Sequence, residues 1–281
     1  MEDLKSMIKA KASQLQINLV GFAARDRFVG LNPQHDPFSI FPDAHTVILV
    51  GQMIPRGTIR GVEEGTDTSS YSNFGYSWLD NQFVAQSTYD LVRFIEDQGW
   101  EATPIFPNPL STTGMGISVA EGRPAPNVTP DFDYAAVACG LGEMGLNQEL
   151  LTPEFGHRQR FQMIITDAVI ASDPLRPAGV CDHCGACAAA CPLQAVNTAK
   201  TVERTICGQT YAMAEINFEL CKKCPNGGMA NRLHPSGKPD RYAALCNRAC
   251  MAELEKRGIA VLNQPFRTHE PWRKNRRGDL I

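Results

Sequence analysis

Leu4, Met7, Ile8, Ala12 and Leu15 recur at helical spacing, so residues 4 to 15 predict an amphipathic helix. The run Ile17 to Ala24 predicts a short buried strand after it. Thr46 to Met53 (TVILVGQM) is β-branched, unbroken and closed by Pro55, which predicts a central strand. Residues 56 to 78 are punctuated by glycines and aromatics without any period and predict a long loop, the kind that is usually functional or mobile. Leu79, Phe83, Val84, Leu91, Phe94 and Ile95 share one face of a predicted helix from Leu79 to Gln98, stopped by Gly99. A strand from Glu101 to Phe106 follows, then a Pro/Gly-rich connection from Pro107 to Pro130. Asp131 to Cys139 is Ala-rich and ends at Gly140, and Arg160 to Ile170 predicts another strong strand. Alternating helices and strands argue for an α/β layer fold over residues 1 to 175. No repeat of solenoid period is present.

Composition narrows the class. The chain has 281 residues, 27 Lys+Arg against 30 Asp+Glu, 43% apolar residues and a mean hydropathy of −0.23, which excludes disordered and collagen-like chains. The longest uncharged stretch, Ala102 to Ala120, is broken by prolines and glycines, so it predicts no membrane span. The N-terminus carries charge every few residues and has neither an apolar signal core nor a twin arginine, so a cytoplasmic location is expected. Charge is divided unevenly: residues 1 to 180 are net −9 and residues 181 to 281 net +6, so the two parts are expected to attract each other. Nine of the ten cysteines fall between Cys181 and Cys250, only Cys139 preceding them. In a reducing compartment such a cluster points to metal rather than to disulfides. The expected organisation is an α/β cofactor-binding domain over 1–175, a small metal-dependent domain over 176–255 and a basic tail over 256–281.

Cys181, Cys184, Cys187 and Cys191, followed by Pro192, have the spacing C-x2-C-x2-C-x3-C-P. Four thiolates so closely spaced suit a cubane, the first three wrapping one 4Fe-4S cluster and the fourth reaching a neighbour. Structural zinc instead favours two well-separated C-x2-C knuckles. His183 lies inside the loop and is expected to be a solvated spacer. Downstream, Cys221, Cys224, Cys246 and Cys250 repeat the motif with an insertion, C-x2-C-(x21)-C-x3-C. By the exchange of fourth ligands, Cys250 completes the cluster of Cys181, Cys184 and Cys187, while Cys191 joins Cys221, Cys224 and Cys246. Cys207 is left over and competes with Cys246 for the second set. Two clusters in one small domain make a relay for single electrons.

Gly140, Gly142 and Gly145 match G-x-G-x-x-G. A dinucleotide site would need a strand before the glycines, a helix opening at the third and an acid about 20 residues on, for which Asp167 falls late. The simpler reading is a Gly-rich turn capping an Ala-rich helix. The tail carries Arg267, Arg273, Lys274, Arg276 and Arg277 against Glu270 and Asp279. Such a patch suits nucleic acid or an acidic partner, but a solvated tail lying on the acidic N-terminal domain is the favoured expectation.

The phrase from Ala138 to Asn147 (ACGLGEMGLN), the segment Leu151 to Phe161 (LTPEFGHRQRF), Ile165 to Asp167 and the double cysteine set together resemble the epoxyqueuosine reductase and reductive dehalogenase superfamily, most closely between Cys139 and Cys191. The resemblance implies a nitroreductase-like N-terminal core, of α/β (α+β) class, followed by a ferredoxin-like domain with two 4Fe-4S clusters. It also implies a corrinoid (cobalamin) held beside the nearer cluster. The implied cofactor contacts are Ser69, Tyr71, Gly140, Leu141, Gly142, Gly145, Asn147 and Thr152. The implied activity is that of a cytoplasmic iron-sulfur oxidoreductase fed by an electron donor of the ferredoxin or flavodoxin type. The alternative is an electron-transfer or activator protein without its own corrinoid, serving a separate reductase or corrinoid protein. No membrane or nucleic-acid partner is implied, and the oligomeric state stays open, a homodimer included. The superfamily's acidic proton donor has no match in spacing here, Asp131 and Asp133 only flanking the position, so no catalytic residue is carried over.

Overall fold

The structure, a computed structural model, describes residues 3–110, 116–233, 237–260 and 271–281. Arg267 and Glu270 of the basic tail lie outside the described residues. In chain order the main elements are α1 (Leu4–Gln14), β1 (Leu19–Ala24), β2 (Thr46–Met53), α2 (Arg60–Glu64), α3 (Ala85–Asp97), β3 (Ala102–Ile105), α4 (Phe132–Ala138), β4 (Glu143–Met144), β5 (Leu150–Leu151), β6 (Gln159–Thr166), α5 (Ala186–Ala189), β7 (Val196–Ile206), β8 (Gln209–Ile216), α6 (Phe218–Cys221) and α7 (Leu245–Lys256). This mixed α/β chain divides into two compact units. Met1–Gln52, Trp78–Leu141 and Arg160–Arg176 form the first; Met53–Ser77, Gly142–Gln159 and Pro177–Ile281 form the second. Residues 53–77 and 142–159, expected in the first domain, therefore group with the cysteine-bearing segment.

The first unit is built on a four-stranded sheet of order β1-β2-β6-β3. β1 runs antiparallel to β2, Leu19 opposite Gly51 and Ala24 opposite Thr46, and β3 antiparallel to β6, Ala102 opposite Thr166. An internal strand must bury both faces, which is why β2 reads as an unbroken apolar run and is buried from Thr46 to Gly51. Ile8 and Ala12 of α1 and Leu91, Val92 and Ile95 of α3 pack with Phe22, Ile48, Val50 and Ile164 of the sheet in one core. Asp173 fastens this layer, its carboxylate accepting from the Phe22 amide at 3.1 Å and pairing with Lys5 at 2.9 Å and Lys9 at 3.1 Å.

The second unit has two hairpins, β4-β5 and β7-β8, and the short helices α2, α5 and α6 with the longer α7. The segment predicted as a long loop is largely helical. It holds a 310 turn at Arg56–Ile59, then α2, and π-helical turns at Tyr71–Ser77. Short, non-α turns leave no 3.6-residue period to read, which is why the pattern looked like a loop. Likewise the helix predicted from Leu79 opens in π-helical turns at Leu79–Val84 before becoming α3. No described helix is long and apolar enough to cross a membrane.

The glycine motif resolves against a dinucleotide site. Its first glycine follows a helix, α4, rather than a strand, and the motif leads into the β4-β5 hairpin instead of a helix. Asp131 is the N-cap of α4, accepting from the Tyr134 amide at 2.9 Å, and Asp167 accepts from the Glu101 amide at 2.9 Å.

Candidate metal centre

All ten cysteines are free thiols. The loop that carries the first three curls through two left-handed residues, His183 (φ 58) and Gly185 (φ 76), the latter opening α5 where Cys187 sits. Its entry is held by a buried carboxylate. Glu143 of β4 accepts from the Cys181 amide through Oε1 at 2.6 Å and from the Gly179 amide through Oε2 at 2.7 Å. At the C-cap of α7, Arg257 donates to the Val180 carbonyl at 2.8 Å and pairs with Asp182 at 3.3 Å. The Leu146 amide, in the β4-β5 turn, donates to Cys181 Sγ at 3.3 Å. Cys250, one turn into α7, meets this loop. Burial and then the neighbouring Cys187, Cys181 and Cys184 push its thiol well above the ordinary range, and burial followed by Cys181 pushes Cys187 to about 11. Cys181, Cys184, Cys187 and Cys250 line one recess, closed by Leu146 and Leu254.

The second set gathers around α6. Asn217 caps that helix, accepting from the Leu220 amide at 3.2 Å, and places Cys221 at its end, with Cys224 one turn on. Cys191 follows α5 and accepts from the Ala195 amide at 3.4 Å through Sγ. Cys191, Cys221 and Cys224 share an apolar cluster with Leu193, Ala195 and Ile216. Burial pushes the Cys221 thiol to about 11, with Arg241 opposing and Cys191 and Cys224 adding. Burial likewise pushes Cys246 to about 12, again against Arg241 and with Cys191 and Cys221 adding. Cys246 therefore lies near Cys191 and Cys221, and it also packs in one cluster with Cys187 of the first loop. Cys207 sits in the two-residue turn between β7 and β8, with Gly208, both at positive φ, and beside Tyr211.

Thiols gathered in sets of this kind are the donor type that a 4Fe-4S cluster takes. Among the described residues no three His, Cys, Asp or Glu side chains converge tightly enough to hold a single metal ion. A cubane asks for a different arrangement, its ligands ringing a volume. Buried thiols this close resist ionising unless a cation neutralises them, so iron and the sulfurs' ionisation are coupled. Two amides donate to sulfur, and Arg241 and Arg248, both buried near the second set, carry nitrogens with no protein acceptor.

The residues expected to cradle a corrinoid are differently employed. A Cβ on Gly140 would collide with the Pro174 carbonyl, one on Gly142 with the Leu151 carbonyl and one on Gly145 with the Leu151 side chain, so these glycines serve close packing. Leu141 is buried. Asn147 is buried and donates to Asn247 Oδ1 at 2.6 Å; Thr152 is buried against Gln159 at 3.2 Å. Tyr71 is buried and donates to Asp240 at 2.5 Å, while exposed Ser69 bonds Asp67 at the start of its turn. A cavity of about 600 Å³ opens beside Cys224, walled by Val62, Gly227, Met229, Trp272 and Lys274.

Sequence reasoning missed Glu143, Arg241, Arg248, His157 and Trp272. Glu143 stood inside the glycine phrase and the two arginines flank Cys246, but nothing local marks a residue whose partner is distant in sequence. Trp272 shows that the tail is not merely solvated: its indole N–H donates to the Val62 and Glu63 carbonyls at 3.1 and 3.0 Å. A single antiparallel bridge between Lys274 and Leu280 closes the C-terminal residues into a hairpin, which Asn226 clasps by donating to the Lys274 carbonyl at 2.9 Å and accepting from its amide at 2.7 Å.

No protein-family model matches the chain. Tetrachloroethene reductive dehalogenase of Desulfitobacterium hafniense is 28% identical over 157 residues, covering 48% of this chain and 28% of that protein, and the enzyme of Dehalobacter restrictus gives the same values. Among solved structures, the catabolic reductive dehalogenase NpRdhA aligns with TM-score 0.54 at 18% identity, covering 87% of this chain and 30% of that one. Epoxyqueuosine reductase from Streptococcus thermophilus aligns with TM-score 0.53 at 17% identity, covering 94% and 69%. The resemblance read from the sequence therefore holds: the relatives are reductive dehalogenases, and the fold is shared with both groups. The chain spans less than a third of the dehalogenases' length.

Proposed function

We propose that this protein is an iron-sulfur oxidoreductase that carries single electrons through two 4Fe-4S clusters to a corrinoid. Cys181, Cys184, Cys187 and Cys250 hold the first cluster, and Cys191, Cys221, Cys224 and Cys246 the second. What carries this reading is that Cys250 lines one recess with Cys181, Cys184 and Cys187, while Cys191 packs in one apolar cluster with Cys221 and Cys224. When bound, each cubane takes up and gives back one electron. The chain's part is to hold and shield: Glu143 fixes the loop at Cys181, the Leu146 and Ala195 amides donate to sulfur, and α7 supplies one thiol to each set.

The corrinoid is supported by kinship, since one aligned dehalogenase structure is described as B12-dependent. The residues first read as its cradle are spent on packing, which favours the second reading, in which the corrinoid belongs to a separate protein and this chain supplies electrons to it. Anaerobic purification with added cobalamin separates the two. A base-off corrin spectrum eluting with the protein supports a bound cofactor. Two clusters without retained corrinoid supports the electron-transfer reading, and protein with no iron-sulfur absorption rejects both.

A further inference from the structure

The two thiol sets differ in the charges buried beside them. Around the first stand carboxylates: buried Glu143 on the Cys181 amide and Asp182 on the Cys184 amide at 3.2 Å, Asp182 being offset by half-exposed Arg257. Around the second stand guanidinium groups. Arg241, 3% exposed, lies by Cys246 and Cys221, and Arg248, 6% exposed, by Cys246 and Cys224. Each has an acid at hand, Glu149 for Arg241 and Glu63 for Arg248. Glu149 and the Asn147 carbonyl, however, occupy only Nη2 of Arg241. Its Nε and Nη1, and Nε and Nη2 of Arg248, are buried without a protein acceptor. A buried N–H without an acceptor is costly, and the sulfurs of a cluster are the acceptors these cysteines would bring beside it.

We infer that Arg241 and Arg248 make the second cluster the electron sink of the pair, so that electrons enter at the first cluster and come to rest at the second. This rests on the two-cluster reading proposed above. Reduction adds one negative charge to a cubane; nearby carboxylates oppose it and buried cations with N–H donors favour it. Water at exposed Cys184 works the other way, stabilising a reduced first cluster, but it also screens the charges there, whereas Arg241 and Arg248 are themselves buried. The transfer is balanced by one electron leaving the first cluster and one entering the second. No bond forms or breaks and no proton moves, and a donor of the ferredoxin or flavodoxin class replaces the electron. The second cluster is also the one beside the cavity at Cys224, so the sink faces the open side.

Redox potentiometry followed by EPR on the anaerobically reconstituted full chain tests this. Two waves are expected, and Arg248→Gln should lower the higher one while leaving the lower in place. Arg248→Lys, which keeps the charge, should lie nearer the original. Asp182→Asn should raise the lower wave alone, and it carries the test if Arg248→Gln fails to take up iron. Full iron content with Arg248→Gln waves superimposed on the original, or a shift of the lower wave instead, overturns the inference. An unaltered protein with iron for only one cluster overturns the two-cluster reading itself, and the inference with it.

Discussion

Gly142 has no space for a side chain, because a Cβ there would meet the Leu151 carbonyl across the β4-β5 hairpin. The next residue is Glu143, whose carboxylate positions Cys181. Gly142→Ala is therefore expected to cost more than about 2 kcal/mol and to loosen the first cluster, seen as a lower melting temperature with faster iron loss. His157 is a second strained point. It is fully buried, stacked on Tyr242 at 5.9 Å, and neither ring nitrogen has a partner. Burial, helped by Arg158 and Arg241, lowers its pKa to about 3, so the folded protein keeps it neutral while an unfolded chain takes up a proton near pH ~6.5. Stability should then fall as pH drops below about 6.5, by up to about 1.4 kcal/mol per pH unit. His157→Phe keeps the stacked ring without the proton site, so unfolding curves at about pH 7.5 and about pH 5.5 should show a smaller loss for the variant. An equal loss in both would assign the acid sensitivity elsewhere. None of this was legible in the sequence, where His157 stood as one residue of a family phrase and its burial depends on Tyr242, far along the chain.

Among the elements, α7 contributes a thiol to each set. Cys246 and Cys250 are one turn apart on the same face, Cys250 lining the recess of the first loop and Cys246 reaching both Cys187 and the second set. The C-x3-C spacing made their neighbourhood on one helix readable, because residues four apart lie one turn apart on the same face. The strands β1, β2, β3 and β6 were equally legible, since a buried strand must be apolar. The segment from residue 56 to 78 was not, because π turns and short helices erase periodicity. Nor was the C-terminal hairpin, whose charged residues suggested a free tail while one tryptophan and Asn226 hold it down. Trp272 also lies under Arg248 at 5.6 Å and walls the cavity at Cys224. Trp272→Ala should release the hairpin at a cost of about 2–4 kcal/mol and admit solvent to the second cluster. Air bleaching of anaerobic protein should then become faster in one phase, with the other unchanged. Equal acceleration of both phases would mean that the hairpin shields neither cluster in particular.

At the scale of the whole molecule, the chain enters the second unit and returns twice, over residues 53–77 and 142–159, before the cysteine segment begins, which no boundary drawn from composition at residue 175 could reveal. The β4-β5 hairpin shows why. It is remote from the ferredoxin-type motifs in sequence, but its carboxylate and amide hold Cys181, and the Leu146 carbonyl accepts from Ala214 of β8 at 2.8 Å. The central claim, two clusters that exchange ligands between motifs, is tested most directly by iron content with low-temperature EPR on Cys191→Ala and Cys250→Ala. The unaltered chain should hold about eight irons, Cys191→Ala should damage the cluster of Cys221, Cys224 and Cys246, and Cys250→Ala the cluster beside Cys181. Damage confined to each cysteine's own motif, or a full complement of iron in both variants, would contradict it.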